Sequence, residues 1–390
     1  MHTIYLDNNA TTQPTQRTID AVRDAMRTHW HNPSSVHRPG QDARNALELA
    51  RASIASLIGA PARRLTLTAS GTESINLAIR GVLGASAPLG KRTVITTAVE
   101  HTAVRDLCEQ LTPEGVTVKH LPVLQGGVID IDALPALLDN TTAIVSVQWA
   151  NNETGAIQPV AQIGEICQRA GVPFHCDATQ WVGKMPCDLS APHAPAIGLL
   201  TFSAHKFHGP RGVGGLWTGN GVRLRPAMPG SQELGRRAGT EDLPAIAGAA
   251  AAALEAIAWL ADHAHRTRLG AMRDRFEQSI LERVPGASVN APGDPSQRLW
   301  NTTNIAFPRL EAEALLMGFS ERGLCASAGA ACSSGSLDPS PVLLAMGIPP
   351  ERAHGSVRFS LSRDTSEQDL EDALEIVRTV AERMYQRLPG

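Results

Sequence analysis

A chain of 390 residues is longer than one hydrophobic core ordinarily organises, so length alone predicts a large domain with a smaller one beside it. With 43% apolar and 19% charged residues and a formal net charge of -3, the composition excludes a disordered chain and leaves no basic surplus for nucleic acid. Six cysteines without a C-x-x-C pair argue against a disulfide framework or a zinc module and for free thiols in a reducing compartment.

The start, Met1-His2-Thr3-Ile4-Tyr5-Leu6-Asp7, has neither a basic region nor a long apolar run, so no secretory signal is expected and a cytoplasmic location follows. From about residue 60 to 220, short β-branched or apolar runs alternate with helical patterns, which predicts βαβ units and a mainly parallel sheet. The candidate strands are 64–68, 93–97, 116–121, 143–148, 173–176, 199–202 and 213–217, with helices at 73–82, 103–111, 134–138 and 160–170. The most apolar window, 245–261, is mostly alanine and is broken by Glu255, so it reads as a buried helix and not as a membrane span. Beyond it the pattern changes: helix at 269–284, a surface loop at 285–295, strand at 304–307, helix at 312–321, strand at 357–360 and a terminal helix at 367–387. The expected division is a large α/β domain over 13–260 and a smaller α+β domain made of 1–12 and 261–390.

Polar residues gather where the predicted strands end: Ser70-Gly71-Thr72, Glu100-His101, Asn151-Asn152, Asp177 with Gln180, and Ser203 with His205 and Lys206. Ligands of open α/β sheets sit outside the carboxyl ends of the strands, so five such clusters predict one site on one rim. Ser70-Gly71-Thr72 opens a helix, where backbone N-H groups bind an anion; read alone, the same string fits an ordinary N-cap equally well. Lysine occurs only at Lys91, Lys119, Lys184 and Lys206, and Lys206 lies among phosphate-sized donors. Pyridoxal phosphate needs a lysine for a Schiff base, an acid for its ring nitrogen and a cup for its phosphate. Thr72, Asp177, Ser203, His205 and Lys206 supply all three. His101 suits a ring stacked on the cofactor or a proton carrier, its alternative being a helix-start histidine with a satisfied nitrogen.

Residues 326–337 are almost wholly small and carry one thiol, Cys332. Such a segment predicts an exposed, mobile loop, which suits a nucleophile that visits a pocket and leaves. Burial as a small hydrophobe suits Cys167, Cys176 and Cys325 better. The pairs His205-x-x-His208, His29-x-His31 and His263-x-His265 lack a third ligand nearby, so no metal is expected.

The motifs Tyr5-Leu6-Asp7-Asn8-Asn9-Ala10-Thr11-Thr12, Asn32-Pro33-Ser34-Ser35-Val36-His37, Ser70-Gly71-Thr72-Glu73-Ser74, Glu100-His101 and Asn151-Asn152-Glu153-Thr154-Gly155 stand in this order. Asp177-Ala178-Thr179-Gln180, Ser203-Ala204-His205-Lys206, Arg237-Ala238-Gly239-Thr240 and Cys332 before Leu337-Asp338-Pro339-Ser340 follow. Together they resemble cysteine desulfurases of the NifS/IscS type, pyridoxal 5'-phosphate enzymes of the class V aminotransferase family. The resemblance implies a fold-type I transferase with a mainly parallel seven-stranded sheet. It implies Lys206 as the Schiff-base lysine, His101 on the pyridine ring, Asp177 on its nitrogen, and Gln180 and Asn152 near the ring hydroxyl and substrate. Gly71, Thr72, Ser203 and His205 would hold the phosphate, joined by Thr240 of the partner subunit in a homodimer. Asn32 and Arg358 would take the carboxylate of L-cysteine, and Cys332 would accept the sulfur and pass it to an acceptor protein, with no role for nucleic acid or membrane. The chain stops soon after its terminal helix, whereas the housekeeping iron-sulfur branch usually has a longer tail that helps dock its scaffold, so the resemblance leaves open whether the acceptor is a scaffold or a relay. A selenocysteine lyase or class V aminotransferase would share Lys206 and Asp177 without requiring Cys332, and an assembly subunit retaining the fold would require none of them.

Overall fold

The computed structural model describes residues 3–329 and 338–388. The chain opens with β1 (Ile4–Tyr5), α1 (Gln16–Thr28) and α2 (Arg38–Ser56). Strand and helix then alternate through β2 (Leu65–Thr68), α3 (Gly71–Ser86), β3 (Thr93–Thr97), α4 (Thr102–Leu111), β4 (Thr117–Leu121), α5 (Leu134–Leu137), β5 (Thr142–Gln148), α6 (Val160–Ala170), β6 (Phe174–Asp177), β7 (Leu199–Ser203) and β8 (Gly214–Thr218). After α7 (Leu243–Leu260) and α8 (His263–Arg283) come β9 (Ser288–Val289), β10 (Thr302–Ala306), α9 (Ala312–Ser320), β11 (Leu324–Cys325), α10 (Pro341–Ala345), α11 (Pro350–His354), β12 (Ser356–Ser360) and α12 (Glu367–Tyr385).

The seven-stranded sheet has the order β2-β8-β7-β6-β5-β3-β4, and only β8 runs against its neighbours. Because β8 is reversed against both β2 and β7, β2 points the same way as the rest, and the five strands that carry the polar clusters end on one rim. The buried runs explain this arrangement. β5 is buried at all seven positions, as a strand covered on both faces must be. Val145 and Val147 join the core beneath α2, α6 and α7, while Ala143 and Ile144 contribute to the core beneath α3 and α4. The edge strand β2 is protected by the buried Glu233, whose carboxylate accepts from Leu67 N at 2.7 Å and pairs with Arg51 through two bonds of 2.6 and 2.7 Å.

α7 is long and apolar enough to cross a membrane, yet here it packs against α1 and α2 with half of its length buried. Its alanines let those helices approach closely, and Asp242 caps it by accepting from Ala245 N. A third core joins α8, α9 and α12 to the sheet β12-β10-β9, with Ile4 and Leu6 from the N-terminus inserted.

The surface loop expected at 285–295 instead contains β9, which pairs with β10 through Ser288↔Ala306 and Val289↔Ile305. A strand of two half-buried residues carries no readable alternation; the neighbouring backbone supplies its pairing. Helices α1, α2, α10 and α11 and strands β1 and β11 were not among the predicted elements. Cys325, expected as a buried hydrophobe, is only half-buried at β11, beside Tyr5. Cys332 and most of the 326–337 segment lie outside the described residues.

Candidate active site

The rim clusters converge on a cavity of about 340 Å³. Ser70, Gly71 and Thr72 line one end of it, Asp177 and Gln180 its floor, and Ser203, His205 and Lys206 another wall. α3 starts here because Ser70 is extended and its side chain accepts from Glu73 N, which leaves the first-turn N-H groups facing the cavity. The approach is tight: a Cβ on Gly214 of β8 would lie 2.3 Å from the Ser70 carbonyl, so a residue without a side chain is required opposite the turn.

Lys206 follows β7 in a single 3-10 turn, and its Nζ donates to the carbonyls of Asn9 and Ala10, both at 2.7 Å. The N-terminal motif is thereby the platform of the amine. Asn9 is itself buried and held by Thr302, Ser360 and Lys184. Asp177 ends β6 and is buried, its Oδ1 accepting from Thr179 N at 3.1 Å, Thr179 Oγ1 at 2.6 Å and Thr201 Oγ1 at 3.3 Å. Behind it, Ser146, His175 and Thr201 form a continuous hydrogen-bonded chain, and burial pushes His175 down to about 4, so the carboxylate faces a neutral ring.

His101 caps α4, its Nδ1 accepting from Ala103 N at 3.1 Å, which assigns the neutral ring's proton to Nε2. Burial lowers its proton affinity, and Lys206 and Arg105 act in the same direction against Asp177. His205 is pushed down to about 3 by burial and the cations around it, so it lines the cavity as a neutral ring, with Nδ1 3.1 Å from Thr11 Oγ1. Gln180 donates to Asn9 O at 3.0 Å and accepts from Lys184 at 2.5 Å.

A second, smaller cavity of about 90 Å³ adjoins the first, and His101, Asn152, Gln180 and Lys206 border both. Arg358 of β12 lies at its base, buried, bound to Asp7 at 2.6 Å, to Asn152 O at 3.1 Å and to Gly329 O at 2.9 Å. Ser327 pairs with Arg358 through both backbone bonds, so the segment leading to Cys332 leaves from beside this guanidinium.

Two expected residues do not join these cavities. Asn32 sits on an exposed turn, where its side chain accepts from Ser34 N at 2.8 Å, and it lines neither cavity. Thr240 is exposed and lines neither, although Arg237 in the same segment is tied to Glu73 at the start of α3. Conversely, Arg211, Thr179, Gln148 and Arg105 line the cavities without having been expected there. Thr179 and Gln148 adjoin expected residues, whereas nothing in the sequence marks Arg105. A larger hollow of about 520 Å³ lies at the opposite ends of the strands, near Lys91 and Arg223, and brings together no comparable amine and acid.

A mainly parallel sheet with an anion cradle, a lysine and a buried acid on one rim is the architecture of a fold-type I pyridoxal-phosphate-dependent transferase. The chain belongs to the aminotransferase class-V family, whose model matches residues 4–373. It is 45% identical over 386 residues to a cysteine desulfurase of Trichormus azollae, covering 98% of this chain and 94% of that one. It is 45% identical over 373 residues to the cysteine desulfurase NifS of Azotobacter vinelandii, covering 95% and 90%. Among solved structures, a NifS-like protein superposes with a TM-score of 0.89 at 32% identity, covering 98% of this chain and all of that one.

Proposed function

We propose that this protein is a cysteine desulfurase that uses pyridoxal 5'-phosphate to convert L-cysteine to L-alanine and stores the sulfur as a persulfide on Cys332 for an acceptor protein. The observation that carries the reading is the junction of two cavities at His101 and Lys206, one with an anion cradle and an acid, the other with a buried guanidinium. The donor set fits the cofactor: N-H groups of α3, Thr72 and Ser203 for the phosphate, Asp177 for the ring nitrogen, His101 for the ring face and Lys206 for the covalent anchor. When bound, pyridoxal phosphate supplies an electron sink for the substrate's α-carbon.

The protein's own residues do the rest. Asp177, its Oδ1 fixed by Thr179 and Thr201, would pair with the cofactor's ring nitrogen. Lys206 Nζ moves the α-proton, and the Asn9 and Ala10 carbonyls orient it. Arg358 takes the substrate carboxylate, with Asp7 fixing the guanidinium in place. His101, neutral and protonated on Nε2, exchanges protons with the thiols. Cys332, as thiolate, attacks the substrate sulfur; the Cβ-S bond breaks, its electron pair stays on the three-carbon fragment, and protonation releases L-alanine. The exposed Thr240 and its Arg237 tether support a homodimer in which Thr240 reaches the partner's phosphate site.

The test is to add L-cysteine and a reductant and assay alanine and sulfide together. Cys332→Ala is expected to keep the cofactor's visible absorption and lose sulfide production, and full turnover by that variant would refute the persulfide route. Lys206→Ala is expected to lose the visible band of the anchored cofactor, and its retention would move the anchor to another lysine.

A further inference from the structure

Two guanidinium groups face the smaller cavity, and among the described residues only one has a carboxylate partner. Arg358 is paired with Asp7 at 2.6 Å. Arg105 lies in the first turn and a half of α4, four residues after its cap His101, and both side chains line the smaller cavity. Among the described residues Arg105 makes no ion pair, and its Nη1 is buried without a hydrogen-bond partner. Asp106 and Glu109, its neighbours on the same helix, form no salt bridge with it, and both are exposed.

The two carboxyl groups bordering the cavity form no ion pair with it, although its charge opposes the effect of burial on both. Glu100 accepts from Gln148 N at 3.1 and 3.0 Å and from Thr97 Oγ1 at 2.8 Å. Glu153 Oε2 accepts from Ser340 Oγ at 2.6 Å. Burial favours the neutral form of both. A half-buried guanidinium with an unpartnered Nη1 loses solvation that a hydrogen-bonded anion would restore.

We propose that Arg105 is a specificity-determining residue that pairs with an anionic group on the β-carbon of the bound amino acid, while Arg358 takes the α-carboxylate. For the substrate that group is the sulfur as thiolate, to which His101 returns a proton before Cys332 attacks, and a β-sulfonate presents the same charge in non-ionising form. The inference rests on the desulfurase reading of the site. It assigns the second guanidinium of the cavity to the sulfur end of the substrate, and not to its carboxylate end.

The probes are L-cysteate, which carries a β-sulfonate, and L-alanine, which carries no β-anion, each titrated into the holoenzyme and followed by the cofactor's visible absorption. Arg105→Leu is expected to weaken L-cysteate by about 10- to 100-fold, the range for a charged hydrogen bond, and to leave L-alanine within about twofold. Arg105→Lys, which keeps the charge, is expected to lose less than the leucine variant, and Arg105→Leu is expected to raise KM for L-cysteine more than it lowers kcat. Equal weakening of both probes would mean a merely structural residue and would overturn the proposal, as would an unchanged affinity for L-cysteate. If L-alanine leaves the wild-type spectrum unaltered, the reading of the site itself fails, which separates that failure from failure of the Arg105 assignment.

Discussion

Replacing Glu100 by glutamine tests whether a fully buried acid beneath the site is neutral at physiological pH. The side chain is wholly inaccessible and receives hydrogen bonds from Gln148 N and Thr97 Oγ1, which favour the carboxylate. Burial opposes them and wins, with Asp177 adding to it and Arg105 subtracting, so the carboxyl is pushed up from 4.5 to about 8. Between those two values the unfolded chain has lost the proton while the folded protein retains it, so stability falls as pH rises across the window. From pH 5 to pH 8 the loss integrates to roughly 3–4 kcal/mol at about 1.36 kcal/mol per pKa unit. Glutamine does not titrate, so Glu100→Gln escapes this loss. The assay is urea denaturation of both proteins, at equal concentration, from pH 5 to 8.5, with tryptophan fluorescence as the signal. The variant is expected to gain on the wild type by about 3–4 kcal/mol between pH 5 and 8, other titrating groups cancelling in the difference. A difference that stays flat to within about 0.5 kcal/mol would refute the reasoning, because Glu100 would then be ionised in both states.

Glu233→Gln removes the charge from a buried pair and from the cap on β2, and urea melts are expected to show a loss of about 3–5 kcal/mol. Asp177→Asn leaves the shape of the site intact but removes its buried negative charge, so alanine formation from L-cysteine is expected to drop at least about 100-fold with the cofactor still bound. Ser366→Ala breaks the reciprocal capping box of Ser366 and Asp369 at the start of α12, an expected cost of about 1 kcal/mol in the same melts.

Much of the large sheet was legible before any coordinates. β3, predicted at 93–97, has those bounds, and β5 differs by one residue, because both are short β-branched runs that must be buried on two faces. Asp177 and Lys206 were legible for a different reason: each sits at the end of such a strand, where chain direction alone puts it on the ligand-binding rim. α1 and α2, which pack on α7, carry a capping residue and apolar positions at helical spacing, so their signal stood in the sequence and was not taken up. β9 and β11 are two residues each, too short for any alternation.

Local order in the chain was thus enough to give the mainly parallel fold and to put Lys206, Asp177 and the Ser70–Thr72 turn on one rim, since each depends on residue type at the end of a strand. Tertiary structure decided what surrounds them. Lys206 is oriented by the carbonyls of Asn9 and Ala10, nearly two hundred residues away, and Arg358 is held by Asp7 across 351 positions. Asn32, placed at the substrate by motif, sits on an exposed turn, while Arg105, which no motif marked, faces the cavity with its Nη1 unpartnered. Such contacts depend on which distant segments the packed cores bring together, and residue spacing along a chain does not encode that.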